Sequence, residues 1–293
     1  MDKYQTTGMI LPVERKDTKV KIFMACVYIF FILLSLIFIV PIVWLILSAF
    51  KDTQEFLQVP PSLFPKEISM DKLAVVWRQA DLSNAYASTL IMVAGDLFFL
   101  ILSNGLAGYV LSRLKPKGST LVFYLLLWTI MMPDNLAMVP RFKTFIDFPI
   151  FHLNFTDTFI PMWMMMCVHP YDTLLFKNFF DGIPRSYIEA ARIDGCKELS
   201  IFRRIILPLS KPIVMTVAIF GMVRGWGAFF WPYLMIKKTE LQPIGVKLLA
   251  LQGELPVDQY LMMTVFTIVP PIIFFLIFQR YIMRGVSGGG EKG

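Results

Sequence analysis

DGIPRSYIEAARIDGCKELSIFRRIILPLSKP, Asp181–Pro212, stands between two long apolar runs and reads as helix, break, helix. Pro184 suits a first helical position, and Ser186 or Asp181 can cap nearby donors. Tyr187 to Ile193 makes about two turns. Gly195 then supplies the residue that tolerates left-handed dihedrals at a helix end. From Lys197 to Leu207, Leu199, Phe202, Ile205 and Ile206 form one apolar face, opposite basic Lys197, Arg203 and Arg204. Pro208 and Pro212 close the second helix. Physics alone leaves two readings open: an amphipathic hairpin on anionic lipid, or a rigid surface for a protein partner.

The flanking runs decide the class. Of 293 residues, 56% are hydrophobic and only 17% charged, and the charges are concentrated between apolar stretches. Runs of about 20 apolar residues match a hydrocarbon core of about 30 Å. The expected spans are Ile22–Ser48, Ala85–Leu111, Thr120–Val139, Thr158–Phe180, Ile213–Ile236 and Tyr260–Gln279. Backbone in lipid must satisfy its own hydrogen bonds, so each is expected to be helical. Pro41, Pro133, Pro161, Pro270 and Pro271 are expected to kink them. The first run is too long for a signal-peptide core and lacks a small-residue cleavage site, so it reads as a retained span. The fold class is an all-α integral membrane protein of about six transmembrane helices. Its expected parts are an N-terminal tail, 1–21, a membrane domain, 22–279, containing the 181–212 loop, and a C-terminal tail, 280–293.

With the N-terminus inside, the inner segments carry 17 basic residues against 9 in the outer ones. Both termini are therefore expected in the cytoplasm. The net charge of +7 marks span ends and forms no separate basic domain, which argues against nucleic acid. Cys26, Cys167 and Cys196 have no CxxC spacing, and His152 and His169 are the only histidines, so no metal centre or disulfide framework is implied. The outer segment 49–84 is too short for a domain but long enough to meet an external partner.

The order of residues in the loop is similar to the signature loop of importer-type ABC transporter permeases. Glu189, Ala190 and Ala191 are followed by Asp194 and Gly195, then Ile205, Leu207 and Pro208. The resemblance continues in AGYVLSRLKPKG (107–118), MMPDNLAMVPRF (131–142), GWGAFFWPYLM (225–235) and the terminal QRYIMRGVSGGGEKG. Together these look like the carbohydrate permeases of the maltose-transporter type. The sequence departs from that pattern at Trp226-Gly227-Ala228-Phe229, where relatives often carry Trp-Asn, an acidic residue and Phe.

That resemblance implies a type I importer permease in a prokaryotic inner membrane. It implies a second, homologous permease, two ATP-binding subunits and an extracytoplasmic sugar-binding protein as partners. Glu189, Ala190, Ala191, Asp194, Gly195, Leu207 and Pro208 would couple to the ATPase. The chain has no GxxxxGK[ST] phosphate loop; ATP and Mg would be bound by the partner ATPase subunits and no cofactor by this chain. Sugar is the expected cargo, with an oligosaccharide, possible acidic forms included, as the finer expectation.

Ionisable groups at membrane depth cost about 2.5–3.5 kcal/mol on insertion scales and face a cavity or partner. Asp96, Asp134 and Arg224 qualify, and Trp226 joins them as an aromatic that can pack on a sugar face. An ion pair of Arg224 with Asp96 or Asp134 is the structural alternative to ligand contact. Asp172 and Lys177 are expected near the inner half of the fourth span, satisfied by snorkelling or local pairing. Trp231 and Tyr233 read as interface markers, and Met162–Met166 as adaptable packing. An ion-coupled secondary transporter is the alternative function; it requires repeated halves and midplane ion ligands, and neither is visible. No HExxH or GxSxG motif suggests a membrane-embedded enzyme.

Overall fold

The computed structural model describes residues 18–149 and 151–287, with side chains through residue 279. The parts of the two tails at 1–17 and 288–293 lie outside the described residues. Among the described residues all regular structure is helical, apart from one isolated bridge between Phe148 and Leu153.

Helix α1 spans Thr18–Ala49 and helix α2 Leu82–Tyr109, the latter continued by a π turn at Val110–Leu114. α3 (Ser119–Met131) and α4 (Met138–Ile146) follow, then α5 (Ile160–Cys167) and α6 (Pro170–Asp181). The 181–212 loop holds α7 (Arg185–Ile193) and α8 (Glu198–Leu209). α9 (Lys211–Trp226), α10 (Phe230–Met235) and α11 (Val257–Ser287) complete the main elements.

Three helices are long and apolar enough to cross a membrane: α1, α2 with its π turn, and α11 from Val257 to Gln279. They match the first, second and sixth expected spans. Two bent pairs raise the number to as many as five. The expected span Thr120–Val139 is not one rod. α3 has 13 residues, about 20 Å of helix, and the chain turns by 100° before Asp134. Pro133 causes this: Met132 ahead of it is held extended at ψ 132°, and a helix cannot pass through that geometry. The expected span Thr158–Phe180 is likewise divided, into α5 and α6, at Val168–His169. The expected Ile213–Ile236 ends as a helix at Trp226, and α10 resumes after Gly227–Phe229.

α2 is the organising helix. α5, α6 and α9 all pack on it, while α11 packs on α9 and α1. Close approach is built in at Gly108, where a Cβ would stand 2.7 Å from Phe176 Cβ and 2.9 Å from Lys177 N. Three apolar clusters result. One gathers Leu82, Ala85, Trp226, Ile244 and Met262. A second gathers Met92, Phe145, Phe159, Met162 and Met235. The third joins Leu100, Phe176 and Phe180 of the helical bundle to Ile188, Ala191, Ile201 and Ile206 of the loop. The middle of α1, Tyr28 to Val43, is exposed, as expected of a surface meant for lipid or a second membrane subunit, while its C-terminal end packs on α11.

The outer segment 49–84 is folded against the start of α11. Lys72 Nζ lies 2.7 Å from Asp258 Oδ2 and donates to the Lys51 carbonyl at 2.7 Å, and the Thr53 hydroxyl donates to Asp258 Oδ1 at 2.5 Å.

Candidate functional site

The loop is a closed hairpin. α7 ends in a Schellman arrangement: Gly195 N–H donates to the Arg192 carbonyl at 3.0 Å and Cys196 N–H to the Ala191 carbonyl at 3.0 Å. Gly195 has φ +76°, the left-handed conformation its sequence position calls for. Pro184 is the residue before the first helical position rather than in it, and no side chain caps α7. Asp181 is occupied elsewhere, accepting from Ser112 at 2.7 Å and Lys177 at 2.7 Å. Burial raises its carboxyl, and the Lys177 and Ser112 hydrogen bonds reverse this, leaving it below the usual carboxylate range.

α8 is amphipathic as expected, with Phe202, Ile205 and Ile206 packed inward and Lys197, Arg203 and Arg204 exposed, but departs from the expected face at one residue. Leu199 is 73% exposed, and Ile201 with Ile206 supplies the buried contact. These two are five residues apart and face the same way because Phe202–Ile206 is a π turn. Pro208 does not end the helix; it lies within Leu207–Leu209. Lacking an N–H, it cannot serve the carbonyl one helical turn back, and the widened turn ahead of it accommodates that loss.

The hairpin presents Glu189, Ala190, Ile193 and Asp194 outward, with Ile193 87% exposed. Ala191 does not share that face; it is buried in the apolar cluster with Ile188. Leu207 and Pro208 are exposed on α8. Two polar ties fix the hairpin to the helical bundle, Tyr109 to Glu198 and Arg113 to the Ile183 carbonyl, while Arg192 to Glu198 braces the hairpin itself. Tyr109 Oη donates to Glu198 Oε2 at 3.1 Å, and Glu198 Oε1 accepts from Arg192 Nε at 2.8 Å. Arg113 donates to the Phe180 and Ile183 carbonyls. Hairpin and bundle thus share one apolar cluster and one set of hydrogen bonds, which is the condition for moving together as a rigid body.

The second candidate region is a cleft among α3, α5, α6, α9 and α10. Two adjoining cavities, of about 690 and about 200 Å³, share Met165, Met166 and Trp231. Asp134, Arg141 and His169 line the larger; Asp96 and Arg224 line the smaller. Arg224 pairs with neither expected partner. Its Nη2 donates to Asp172 Oδ2 at 2.6 Å, and the Asp172 side chain is fully buried. His169 Nδ1 lies 2.7 Å from the same oxygen. Of the two expectations for Asp172, local pairing holds, with His169 three residues before it, and the residue is in addition the buried counter-charge of Arg224. Asp134 is 94% exposed and 3.8 Å from Arg141. Trp226 faces the packed core, donating its indole N–H to the Thr267 carbonyl at 3.0 Å, and Trp231 occupies the cleft instead.

Sequence reasoning overlooked Asn104. Its side-chain oxygen accepts from His169 N–H at 2.9 Å and the Thr173 hydroxyl at 2.8 Å, while its amide donates to the Met166 carbonyl at 2.9 Å. It satisfies the backbone groups freed where α5 gives way to α6. A lone asparagine inside an apolar run was the available signal.

A helical bundle of this kind, with apolar spans and a helix-Gly-helix loop packed into its base, defines a permease of the type I importer class. Residues 6–288 match the family described as "Binding-protein-dependent transport system inner membrane component", and the chain belongs to that family. It is 30% identical over 288 residues to the arabinooligosaccharides transport system permease protein AraQ of Bacillus subtilis, covering 95% of this chain and 99% of that one. It is also 30% identical over 234 residues to the melibiose/raffinose/stachyose import permease protein MelC of the same organism, covering 79% and 84%. In fold it resembles a chain of a bacterial ABC transporter involved in the import of the acidic polysaccharide alginate, with TM-score 0.79 and 20% identity over 90% of this chain and 98% of that one.

Proposed function

We propose that this chain is a non-catalytic permease subunit of an ATP-driven oligosaccharide importer fed by an external binding protein. The observation that carries the proposal is the hairpin: an exposed Glu189–Ala190–Ile193 face on a helix whose other side is part of the bundle's own core. A partner ATPase docked on that face would move the bundle directly. The names of AraQ, an arabinooligosaccharides permease, and MelC, a melibiose/raffinose/stachyose import permease, support the cargo class. ATP and Mg belong to two partner ATPase subunits, a second homologous permease completes the pathway, and both termini lie in the cytoplasm. Ala190 is the contact residue of α7; Ala191 acts from beneath it, by packing. The cleft residues Asp96, Arg224 and Asp134 belong to this chain's half of the passage, and Trp226 supports them from the core.

The proposal is tested by placing a cysteine at Ala190 and single cysteines across the surface of the co-expressed ATPase subunit. Oxidative cross-links that form at Ala190 and not at Ser119, on the same side of the bundle, support docking on α7. Equal cross-linking at both positions, or none at either, contradicts it.

A further inference from the structure

The smaller cavity has a wall chemistry of its own. Asp96 is 4% exposed, and its Oδ1 is buried with no protein partner among the described residues. The carboxylate lines the cavity together with Trp231 and Phe229. Gly225 keeps the approach to it open, since a Cβ there would stand 3.3 Å from Asp96 Oδ2. A buried acceptor left unsatisfied costs roughly 1–3 kcal/mol, more if charged, so a donor-bearing occupant is required for the site to be at rest.

The candidates separate by charge. An apolar ligand leaves Asp96 unsatisfied. A cation meets Arg224 on the same wall. A uronate carboxylate meets Asp96, and the Arg224 guanidinium, though its Nε has no hydrogen-bond partner among the described residues, already has its counter-charge in Asp172 at 2.6 Å. A neutral sugar ring fits each feature: hydroxyls to donate, and an apolar face to lie on an aromatic. At ~30 Å³ per water, about 200 Å³ is the space of several waters, the scale of one ring.

We propose that this cavity is a subsite for one neutral sugar ring, with Asp96 accepting its hydroxyl hydrogens and Trp231 covering its apolar face. The proposal rests on the permease reading above and names the substrate class at that site.

The test uses the whole transporter in lipid nanodiscs, trapped with vanadate during ATP hydrolysis. Retention of tritiated arabinotriose, raffinose and maltotriose is measured, with trigalacturonate as the acidic competitor. The native complex is expected to retain at least one neutral trisaccharide saturably and to be indifferent to trigalacturonate. Asp96→Asn, which still carries an acceptor but also adds donors, is expected to weaken retention about tenfold. Trp231→Ala is expected to do the same, and carries the comparison alone should Asp96→Asn not assemble. Retention unchanged in both variants overturns the proposal, as does displacement by trigalacturonate or no saturable retention by the native complex. Failure of any ATPase subunit to co-purify with the native chain is a different result: it removes the permease reading first and the subsite with it.

Discussion

Asp172 and Arg224 meet at 2.6 Å although 52 residues separate them, joining α6 to α9 beside the cleft. The carboxylate is fully buried and the guanidinium partly open to the cavity. Two charges at membrane depth are thereby made into one neutral unit, which answers the cost of placing either there alone.

Removing one partner is expected to be worse than removing both. Arg224→Leu leaves Asp172 buried with only His169 beside it, a loss of up to about 3–5 kcal/mol. The double variant Arg224→Leu with Asp172→Leu is expected to recover most of it. Thermal unfolding in detergent, followed by the fluorescence-detected elution of monodisperse protein, measures both. A double variant as unstable as the single one would show that the pair does more than cancel charge.

Asn104→Leu is expected to destabilise the α5–α6 break. It orphans the Met166 carbonyl and the His169 N–H, each worth roughly 1–3 kcal/mol when buried. Asn104→Gln retains the chemistry but not the reach, and is expected to fall between. A melting temperature for Asn104→Leu equal to the native one would mean the break is satisfied some other way.

The π turn, the α5–α6 break and the Asp172 pairing share a reason for being hard to foresee. The Asp172 pairing depends on a residue 52 positions away, and the two breaks, though each precedes a proline (Pro208, Pro170), are completed by contacts from other helices. Continuous apolar runs such as Thr18–Ala49 specify their helices locally, by length and composition, and those spans were legible. Gly195 was legible because a helix end needs a positive φ at one position. Thr158–Phe180 is as apolar as a span should be, but its interruption is set by Asn104 on another helix. Helical periodicity placed Leu199 inward, whereas the added residue of the π turn aligns Ile201 with Ile206. The Glu189–Gly195 segment was legible as a motif, and only the packing separates outward Ala190 from buried Ala191.

Tyr109→Phe keeps the ring contacts with Phe180 and Phe202 and removes only the hydrogen bond to Glu198. About 1 kcal/mol is at stake for one such bond, so assembly is expected to survive. Sugar transported per ATP hydrolysed is expected to fall, because the hairpin loses a tie to α2. An unchanged ratio in proteoliposomes would confine the bond to a local structural role.

Asp157 accepts from the backbone N–H groups of Lys238, at 2.8 Å, and Lys237, at 2.6 Å. The Lys238 hydrogen bond, with that of Lys237, holds its carboxyl below the usual carboxylate range. A depressed folded-state pKa contributes stability above the unfolded value near 3.9, lost as pH falls through the folded one. The native protein is therefore expected to lose melting temperature below about pH 4 more steeply than Asp157→Asn. Parallel melting curves across that range would contradict the assignment.

The proposed coupling role of the hairpin is tested most directly by ATP hydrolysis of the reconstituted complex, with and without sugar-loaded binding protein, for the native chain and Gly195→Asp. A side chain at Gly195 meets no atom within 4 Å, so the substitution acts through its φ of +76°, which aspartate adopts at a cost of up to about 1–2 kcal/mol, and through a carboxylate added to the hairpin surface. The account predicts hydrolysis stimulated by loaded binding protein in the native complex and stimulation lost in Gly195→Asp. Full stimulation in the variant, or none in the native complex, would contradict it.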